Sequence, residues 1–309
     1  MQKNSKIYIA GHAGMVGSAL VRQLKIKGYV NLIYKSRTEL NLTHQEQVNS
    51  FFEKEKPEYV FVAAAQVGGI LANKTYPADF IYSNIAIQTN IIEAARRHKT
   101  QKLVFLASSC MYPKHAKQPI SETELLTGPL EPTNQPYAVA KIAGTEMCKA
   151  YFRQYGSNFI TVIPTNLYGP NDTYHPDNSH VIPALIHKFH QAKINNQISI
   201  EIWGSGKPKR EFMYVDDMAN ATILIMQKYD SIEPINIGIG EDISIRDLAN
   251  LIKETVEYTG TITFNTKMPD GTPRKLLDIK KLKQLGFKSQ TSLIDGLKKT
   301  YQDYLFHYS

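Results

Sequence analysis

Tyr137 and Lys141 form a Tyr-x-x-x-Lys pair just after the loop breaker Gln135-Pro136, in a stretch whose pattern predicts a helix over residues 137–155. One helical turn places both side chains on the same face. A phenol titrates near pH ~10 and is a poor acid–base group at neutrality. An ammonium beside it stabilises the phenolate and moves the group towards the working range. Such a pair also arises on helix surfaces by chance, so its neighbours matter. Ser108, Ser109 and Cys110 follow the strand expected over residues 102–108, where a crevice should open. A hydroxyl there can hydrogen-bond a bound carbonyl, and a thiol can act as a base if a positive charge stabilises its thiolate. The plainer reading of a single cysteine is a small buried apolar residue. Cys110, His175 and His180 give no recognisable zinc spacing, so no metal is expected.

A second set of residues speaks to phosphate. Gly11, Gly14 and Gly17 lie between the first expected strand and the first expected helix. A tight turn there needs residues without Cβ, and a pyrophosphate can then approach the N–H groups at the helix start. The spacing G-x-x-G-x-x-G differs from the simplest dinucleotide fingerprint, and a purely structural turn is the competing explanation. The second strand ends in Tyr34-Lys-Ser-Arg, with Arg37 standing 20 residues after Gly17. An acidic residue at that place would suit NAD; a guanidinium suits a 2′-phosphate, which favours NADP(H). An exposed arginine at a strand end is the bland alternative.

These groups need a scaffold that brings them to one edge. Strands are expected at residues 6–10, 32–35, 59–63, 102–108 and 159–164, alternating with helices at 14–27, 43–54, 78–99 and 137–155. That alternation predicts an α/β fold with a Rossmann-like, doubly wound parallel sheet. After Pro164 the pattern loosens. Residues 165–179 read as loop, followed by a helix at 181–193, a strand at 199–203, a helix at 215–228 and a strand at 235–238. Two further helices are expected at 245–258 and 293–304. The expected organisation is a dinucleotide-binding domain of residues 1–166 with 215–239, and a smaller discontinuous C-terminal α/β substrate domain of 167–214 with 240–309.

Composition excludes other classes. The chain has 309 residues, 42% of them apolar, which supports a core and excludes disordered, collagen-like and coiled-coil classes. The longest apolar run, Tyr59 to Ala65, is seven residues, far below the roughly 20 a membrane helix needs. The polar start and the two cysteines, Cys110 and Cys148, make a cytoplasmic protein the expectation. The net charge of +8 is scattered without an aromatic-interleaved stripe, so no nucleic acid is expected as partner. The basic field suits anionic small substrates such as nucleotides.

Longer strings narrow the reading. The glycine loop, the strand-end Ser and Tyr-x-x-x-Lys are arranged as in the extended short-chain dehydrogenase/reductases. Gly11-His-Ala-Gly-Met-Val-Gly-Ser, Ala63-Ala-Ala-Gln-Val-Gly-Gly-Ile, Ser108-Ser-Cys-Met-Tyr-Pro, Pro164-Thr-Asn-Leu-Tyr-Gly-Pro, Asn178-Ser-His-Val-Ile-Pro-Ala-Leu and Asp270-Gly-Thr-Pro-Arg-Lys-Leu-Leu-Asp continue the match. Within that family the chain resembles the GDP-L-fucose synthases, which epimerise and reduce GDP-4-keto-6-deoxy-D-mannose, over nearly its whole length. The resemblance implies that Tyr137 protonates O4 while NADPH delivers hydride to C4, with Ser108 on the carbonyl and Lys141 on the nicotinamide ribose. It implies C3/C5 epimerisation through Cys110 and His180, the enolate charge resting on O4 near Ser108 and Tyr137.

The resemblance also implies the binding residues. Cofactor contacts fall on Gly11, Gly14, Met15, Val16, Gly17, Arg37, Asn41, Leu42, Ala64, Ala65, Leu106, Ala107, Pro164, Asn166, Leu167 and His180, besides Ser108, Tyr137 and Lys141. Substrate contacts fall on Ser108, Cys110, Tyr137, Asn166 and His180, and on Lys188, Trp203, Arg210 and Asp270 for the GDP portion. Position 13 is Ala where relatives often carry Arg near the 2′-phosphate, which leaves Arg37 with more of that work. Relatives usually form homodimers by packing the helix after Pro77 and the Tyr137 helix into a four-helix bundle. The same machinery could serve a related GDP-4-keto-6-deoxy sugar such as a heptose. A non-catalytic nucleotide sensor on this fold is the third reading, and the Ser108, Tyr137 and Lys141 set speaks against it.

Overall fold

In the computed structural model, which describes residues 1–175, 179–268 and 270–308, the first half of the chain alternates strand and helix. In order come β1 (Ile7–Ala10), α1 (Met15–Ile26), β2 (Leu32–Ile33), α2 (Gln45–Glu55), β3 (Tyr59–Val62), α3 (Ile70–Thr75), α4 (Pro77–Arg97), β4 (Lys102–Leu106), α5 (Gln135–Tyr155) and β5 (Phe159–Pro164). Next are β6 (Asn166–Tyr168), α6 (Val181–Ile194), β7 (Ser199–Trp203), β8 (Lys209–Arg210), β9 (Phe212–Tyr214), α7 (Val215–Lys228) and β10 (Ile235–Ile237). The last are β11 (Ile243–Ser244), α8 (Ile245–Val256), β12 (Thr261–Asn265), β13 (Arg274–Lys275), α9 (Lys280–Gln284) and α10 (Leu293–Tyr308). Asn178, which opens one of the matching strings, lies outside the described residues.

Six strands form a parallel sheet in the order β10-β5-β4-β3-β1-β2. α1 packs on α7, while α4 packs on α2 and α5. A sheet covered on both faces needs strands that are apolar throughout, and Val60, Phe61, Leu103, Val104 and Phe105 are all fully buried. The chain runs outward from β1 to β2 on one side and from β3 to β5 on the other. Loops leaving β1 and β3 therefore diverge and open a crevice at their carboxyl ends, the usual ligand position in such sheets.

A second apolar cluster lies around Tyr168, Phe189, Phe212, Leu248, Ile252 and Tyr304. α8 packs on α6 and α10, with the parallel pairs β7–β12 and β6–β9 completing the layer. Leu277, Ile279 and Leu282 come late in the chain yet belong to the first cluster. The strip from β13 to α9 thus packs against the main sheet's core.

Local expectations differ from the structure in several short elements, of which three bear on the site. Residues 165–179 were expected as loop, but Asn166–Tyr168 pair in parallel with Phe212–Tyr214. Thr261–Asn265 was not expected as a strand, yet all five residues pair with β7. The strand expected over residues 102–108 ends at Leu106, because Ser108 opens a 3₁₀ turn over Ser109–Met111.

The loop after β6 stores a titratable strain. Asp172 is nearly buried; its Oδ1 accepts the Thr173 N–H at 2.8 Å, and its Oδ2 has no hydrogen-bond partner among the described residues. Burial pushes its carboxyl up to about 7, Asp303 adding to the rise and the Thr173 N–H opposing it. A carboxyl that ionises later in the folded chain than in the unfolded one weakens the fold as pH rises from about 4 through about 7. Asp172→Asn is therefore expected to be more stable than the parent above pH ~7 by up to about 4 kcal/mol, the gap closing near pH ~4. Urea unfolding across that range measures it, and a gap independent of pH would remove Asp172 as the cause.

Candidate active site

The crevice begins at the end of β1. The Gly14 N–H donates to the Gly11 carbonyl at 3.2 Å, closing a turn that leads directly into α1. A Cβ on Gly17 would lie 2.0 Å from the Gly11 oxygen, so only glycine lets the first turn of α1 lie this close to the loop. α1 has no side-chain cap and no acidic residue in its first turn. Its leading N–H groups, at Met15, Val16 and Gly17, have no carbonyl within the helix and could hold an anion. Ala64 and Ala65 follow β3, whose exit is tied to β1 by the Ala63 N–H to the Ala10 carbonyl at 3.0 Å.

At the end of β2 the charges sort themselves. Lys35 pairs with Glu39 at 3.2 Å, and Glu39 also accepts the Ser36 N–H and hydroxyl at 2.8 and 2.7 Å. Those hydrogen bonds, with Lys35 beside it, hold the Glu39 carboxyl down at about 2. Arg37 is exposed and has no carboxylate partner among the described residues, so its fork is open to a ligand. His12, in the glycine loop, stacks on Tyr34 with ring centres 4.7 Å apart. Sequence reasoning missed that stack; His12 and Tyr34 stand at the ends of adjacent parallel strands, which is the signal that would have paired them. Asn41 and Leu42 are half-buried beyond this turn, the Asn41 Oδ1 accepting the Thr43 N–H at 3.1 Å and the Leu42 carbonyl accepting Asn90 at 2.9 Å.

The acid–base groups gather past β4. Ser108 begins the 3₁₀ turn, its Oγ accepting the Cys110 N–H at 3.3 Å. The Ser108 hydroxyl lies beside the Tyr137 phenol and the Cys110 thiol and favours the charged form of each. α5 starts with Pro136 in its first turn and runs close to β4, because Gly144 faces Phe105: a Cβ there would lie 2.5 Å from the ring. That approach lowers Lys141 onto the strand, where its ammonium donates to the Leu106 carbonyl at 2.8 Å and sits 5.9 Å from the Tyr137 ring centre. Leu106, Ala107 and Pro164 are buried strand-end residues that floor this region.

The electrostatics correct one expectation. Lys141 was expected to bring the Tyr137 phenol towards neutral pH. Burial instead pushes the phenol far above its ordinary range, Cys110 adding to the rise and the Ser108 hydrogen bond opposing it. Lys141 spends its donor on Leu106, and burial brings its own ammonium down to about 8. Burial likewise raises the Cys110 thiol, while Lys275, Ser108 and Lys141 pull it down. Tyr137 is thus held as a proton donor.

On the facing side, His180 stands at the N-cap position of α6 without a side-chain cap bond, and the protein around its ring lowers its pKa by desolvation, with Lys275 adding to the fall. Lys275 was not singled out from the sequence. It sits on β13, a two-residue strand in a stretch that reads as loop. Asn166 Nδ2 donates to the Glu211 carbonyl at 2.8 Å, with half-buried Leu167 next to it in β6. Farther out, Trp203 is 66% exposed and offers a flat apolar face. Lys188 donates to the Glu201 carbonyl, and Arg210 is half-buried. The Asp270 carboxylate accepts the Ser205 N–H at 2.6 Å and its hydroxyl at 2.7 Å, so it holds the turn beside Trp203.

With this geometry, comparisons with known proteins agree. Residues 7–238 match the NAD dependent epimerase/dehydratase family. The chain is 54% identical to GDP-L-fucose synthase 1 of Arabidopsis thaliana over 303 residues, 98% of this chain and 94% of that protein. It is 53% identical to the GDP-L-fucose synthase of Escherichia coli, covering 97% of this chain and 96% of that one. The solved structure of MlghC, a GDP-mannoheptose C4 reductase from Campylobacter jejuni with NADP bound, superposes with a TM-score of 0.91 at 43% identity over 99% of both chains.

The position of α5 is testable. Gly144→Ala is expected to destabilise the fold by roughly 1–3 kcal/mol, since Phe105 is a core ring with no room to yield. A urea midpoint equal to the parent's would show that the helix does not depend on this contact.

Proposed function

The chain belongs to the NAD dependent epimerase/dehydratase family, and we propose that it converts GDP-4-keto-6-deoxy-D-mannose to GDP-L-fucose by C3/C5 epimerisation followed by NADPH-dependent reduction at C4. The observation that carries this reading is the convergence of Ser108, Cys110, Tyr137 and Lys141 at the carboxyl end of β4. Around 53% identity to GDP-L-fucose synthases over nearly the whole chain supports it.

The residues at hand fit NADP(H). The leading N–H groups of α1 suit the pyrophosphate, the Gly17 cradle admits it, and Arg37 is free for the 2′-phosphate. When bound, the cofactor supplies the hydride. Residues 1–166 with 215–239 would carry it, and residues 167–214 with 240–309 the nucleotide sugar, the Leu277–Leu282 strip excepted because it packs with the first group.

The chain's own groups account for the remaining steps. A C4 ketone acidifies the C–H bonds at C3 and C5. Cys110, as thiolate, takes one such proton, and the resulting charge on O4 is met by the Ser108 and Tyr137 hydroxyls. His180 returns a proton to the opposite face. In the reduction, Tyr137 gives its proton to O4, which needs the neutral phenol that burial maintains. Lys141 holds the cofactor ribose and the end of β4 together. Trp203 stacks the guanine, and Arg210 and Lys188 meet the diphosphate.

Exposed Tyr82 and Ile85 on α4 and Val139 on α5 support a homodimer across those two helices. Cys110 and Cys148 are unpaired and buried, which suits a cytoplasmic enzyme, and among the described residues no helix is long and apolar enough to cross a membrane. A heptose substrate is the second reading, favoured by the likeness to the heptose reductase.

Incubation with GDP-4-keto-6-deoxymannose and NADPH, with the product's stereochemistry read by NMR, tests the proposal. GDP-L-fucose is expected; no NADPH consumption with this sugar would overturn it. Tyr137→Phe should lower the reduction rate at least ~10²-fold while solvent deuterium still enters C3 and C5. Cys110→Ser should do the reverse, and unimpaired deuterium entry would remove Cys110 as the base. Arg37→Ser should raise the KM for NADPH at least ~10-fold and leave that for NADH nearly unchanged; equal effects on both would place the 2′-phosphate elsewhere.

A further inference from the structure

Asn236 is a polar residue in a strand of the covered main sheet. β10 reads Ile-Asn-Ile at the sheet's edge, and Asn236 is fully buried there. An amide taken out of water is costly unless it is hydrogen-bonded, and both ends of this one are used. Its Nδ2 donates to the Ile120 carbonyl at 2.9 Å and to the Asp278 carbonyl at 3.0 Å. Two carbonyls decide which end of the amide faces them. Oδ1 therefore faces the other way, where it accepts the Tyr112 phenol at 2.6 Å.

Tyr112 leads to the thiol. It directly follows the 3₁₀ turn over Ser109–Met111 that carries Cys110, and its N–H donates to the Ser109 carbonyl at 3.4 Å. The Cys110 and Met111 N–H groups turn back to Ser108. These bonds shape the turn without tying it to the rest of the fold. The Thr145 hydroxyl on α5 meets the Met111 sulfur at 3.7 Å, a weak bond, since a thioether is a poor acceptor. The short bond from Tyr112 to Asn236 is the firmer tether.

Ile120 and Asp278 lead to the substrate side. The Ile120 carbonyl also accepts the Asp278 N–H at 2.8 Å, and the Ile120 N–H donates to the Leu276 carbonyl at 2.7 Å. Ile120 and Leu277 thus pair as an isolated parallel bridge. Just upstream, β13 pairs with β8, Lys275 standing in register with Arg210, the residue given above to the diphosphate. One buried amide therefore joins the turn bearing the thiol to the strand pair bearing the diphosphate anchor. The reducing groups are held differently: Tyr137 and Lys141 ride on α5, and Lys141 is tied to the Leu106 carbonyl.

We propose that Asn236 is a positioning residue for epimerisation: through Tyr112 on one side and Ile120 and Asp278 on the other, it sets the span between the Cys110 thiol and the diphosphate anchor. This rests on the assignment of Cys110 to proton abstraction and of Arg210 to the diphosphate. A sugar held by its diphosphate presents C3 and C5 at set places, and a base must come within hydrogen-bond reach of the proton it takes. Misplacement by about 1 Å costs such a step on the order of 10²-fold. Hydride transfer at C4 answers to the cofactor and to α5, so loosening the tether separates the two reactions.

The test compares two reactions in Tyr112→Phe, which removes the phenol oxygen and keeps the buried ring. Solvent deuterium entry into GDP-4-keto-6-deoxymannose without NADPH reads proton abstraction. NADPH formation from GDP-L-fucose and NADP⁺ runs the C4 step backwards and needs no epimerisation. Deuterium entry is expected to fall at least ~10-fold, with the C4 step within about twofold of the parent's. Asn236→Ala should show the same split, and the double variant should lose no more than Asn236→Ala alone, since both act through one bond. If Asn236→Ala does not fold, Tyr112→Phe decides alone. Equal losses in the two reactions would make the network structural only, and undiminished deuterium entry would leave it no part in epimerisation; either overturns the proposal. Deuterium entry that survives in Cys110→Ser would instead overturn the assignment of the base, whatever Tyr112→Phe shows.

Discussion

A buried carboxylate joins the parts of this protein. Glu211 is fully buried between β8 and β9, and its oxygens accept the N–H groups of Ile239 at 2.6 Å, Gly240 at 2.7 Å and Leu277 at 3.0 Å. Its own carbonyl takes the Thr165 hydroxyl and the Asn166 amide. Burial alone would drive such a carboxyl to protonate, and the three N–H groups oppose that. Removing one partner of such a set leaves buried backbone donors bare, which costs far more than the net value of the bonds. The exits of β5 and β10 and the strand bearing Lys275 all meet at this one side chain. It ties β8, β9 and β13 to the ends of β5 and β10.

Much of this was legible in the sequence because the main sheet is covered on both faces. Full coverage forces continuous apolar strands, and helices that cover a sheet carry an apolar stripe, so both periods stand out. β5 and α7 match their expected bounds, and β10 returns to the sheet as its Ile-Asn-Ile run suggested. Short pairings were illegible for the opposite reason. β6 and β13 are held by partners distant in sequence, and their residues, rich in Asn or in charge, carry no local strand preference. β12 is half-exposed, so its alternation is weak.

The site shows the same division. Tyr137, Lys141, Ser108 and Cys110 are legible because helical period and strand end place them by local rules. Lys275 follows Thr-Pro-Arg in what looks like a polar loop, and only its pairing with β8 turns it inward. The alternation of Arg274 and Lys275 ahead of two leucines was the one available sign. The electrostatic sense of the Tyr–Lys pair was also beyond sequence reading, since helical spacing fixes the common face and says nothing of the carbonyl that claims the ammonium.

Burial presses four ionisable groups of the crevice towards their neutral forms. The Tyr137 phenol and Cys110 thiol are raised, and the Lys141 ammonium and His180 imidazolium are lowered. A site built this way holds protons ready to give and few charges of its own. Its two tasks then ask for different things. Reduction needs a phenol that still has its proton, which burial secures without help. Epimerisation through Cys110, as proposed above, needs a thiol that has lost one, against the same burial. Lys275 and Lys141 both favour the thiolate, and Lys141 keeps its charge while it donates to the Leu106 carbonyl.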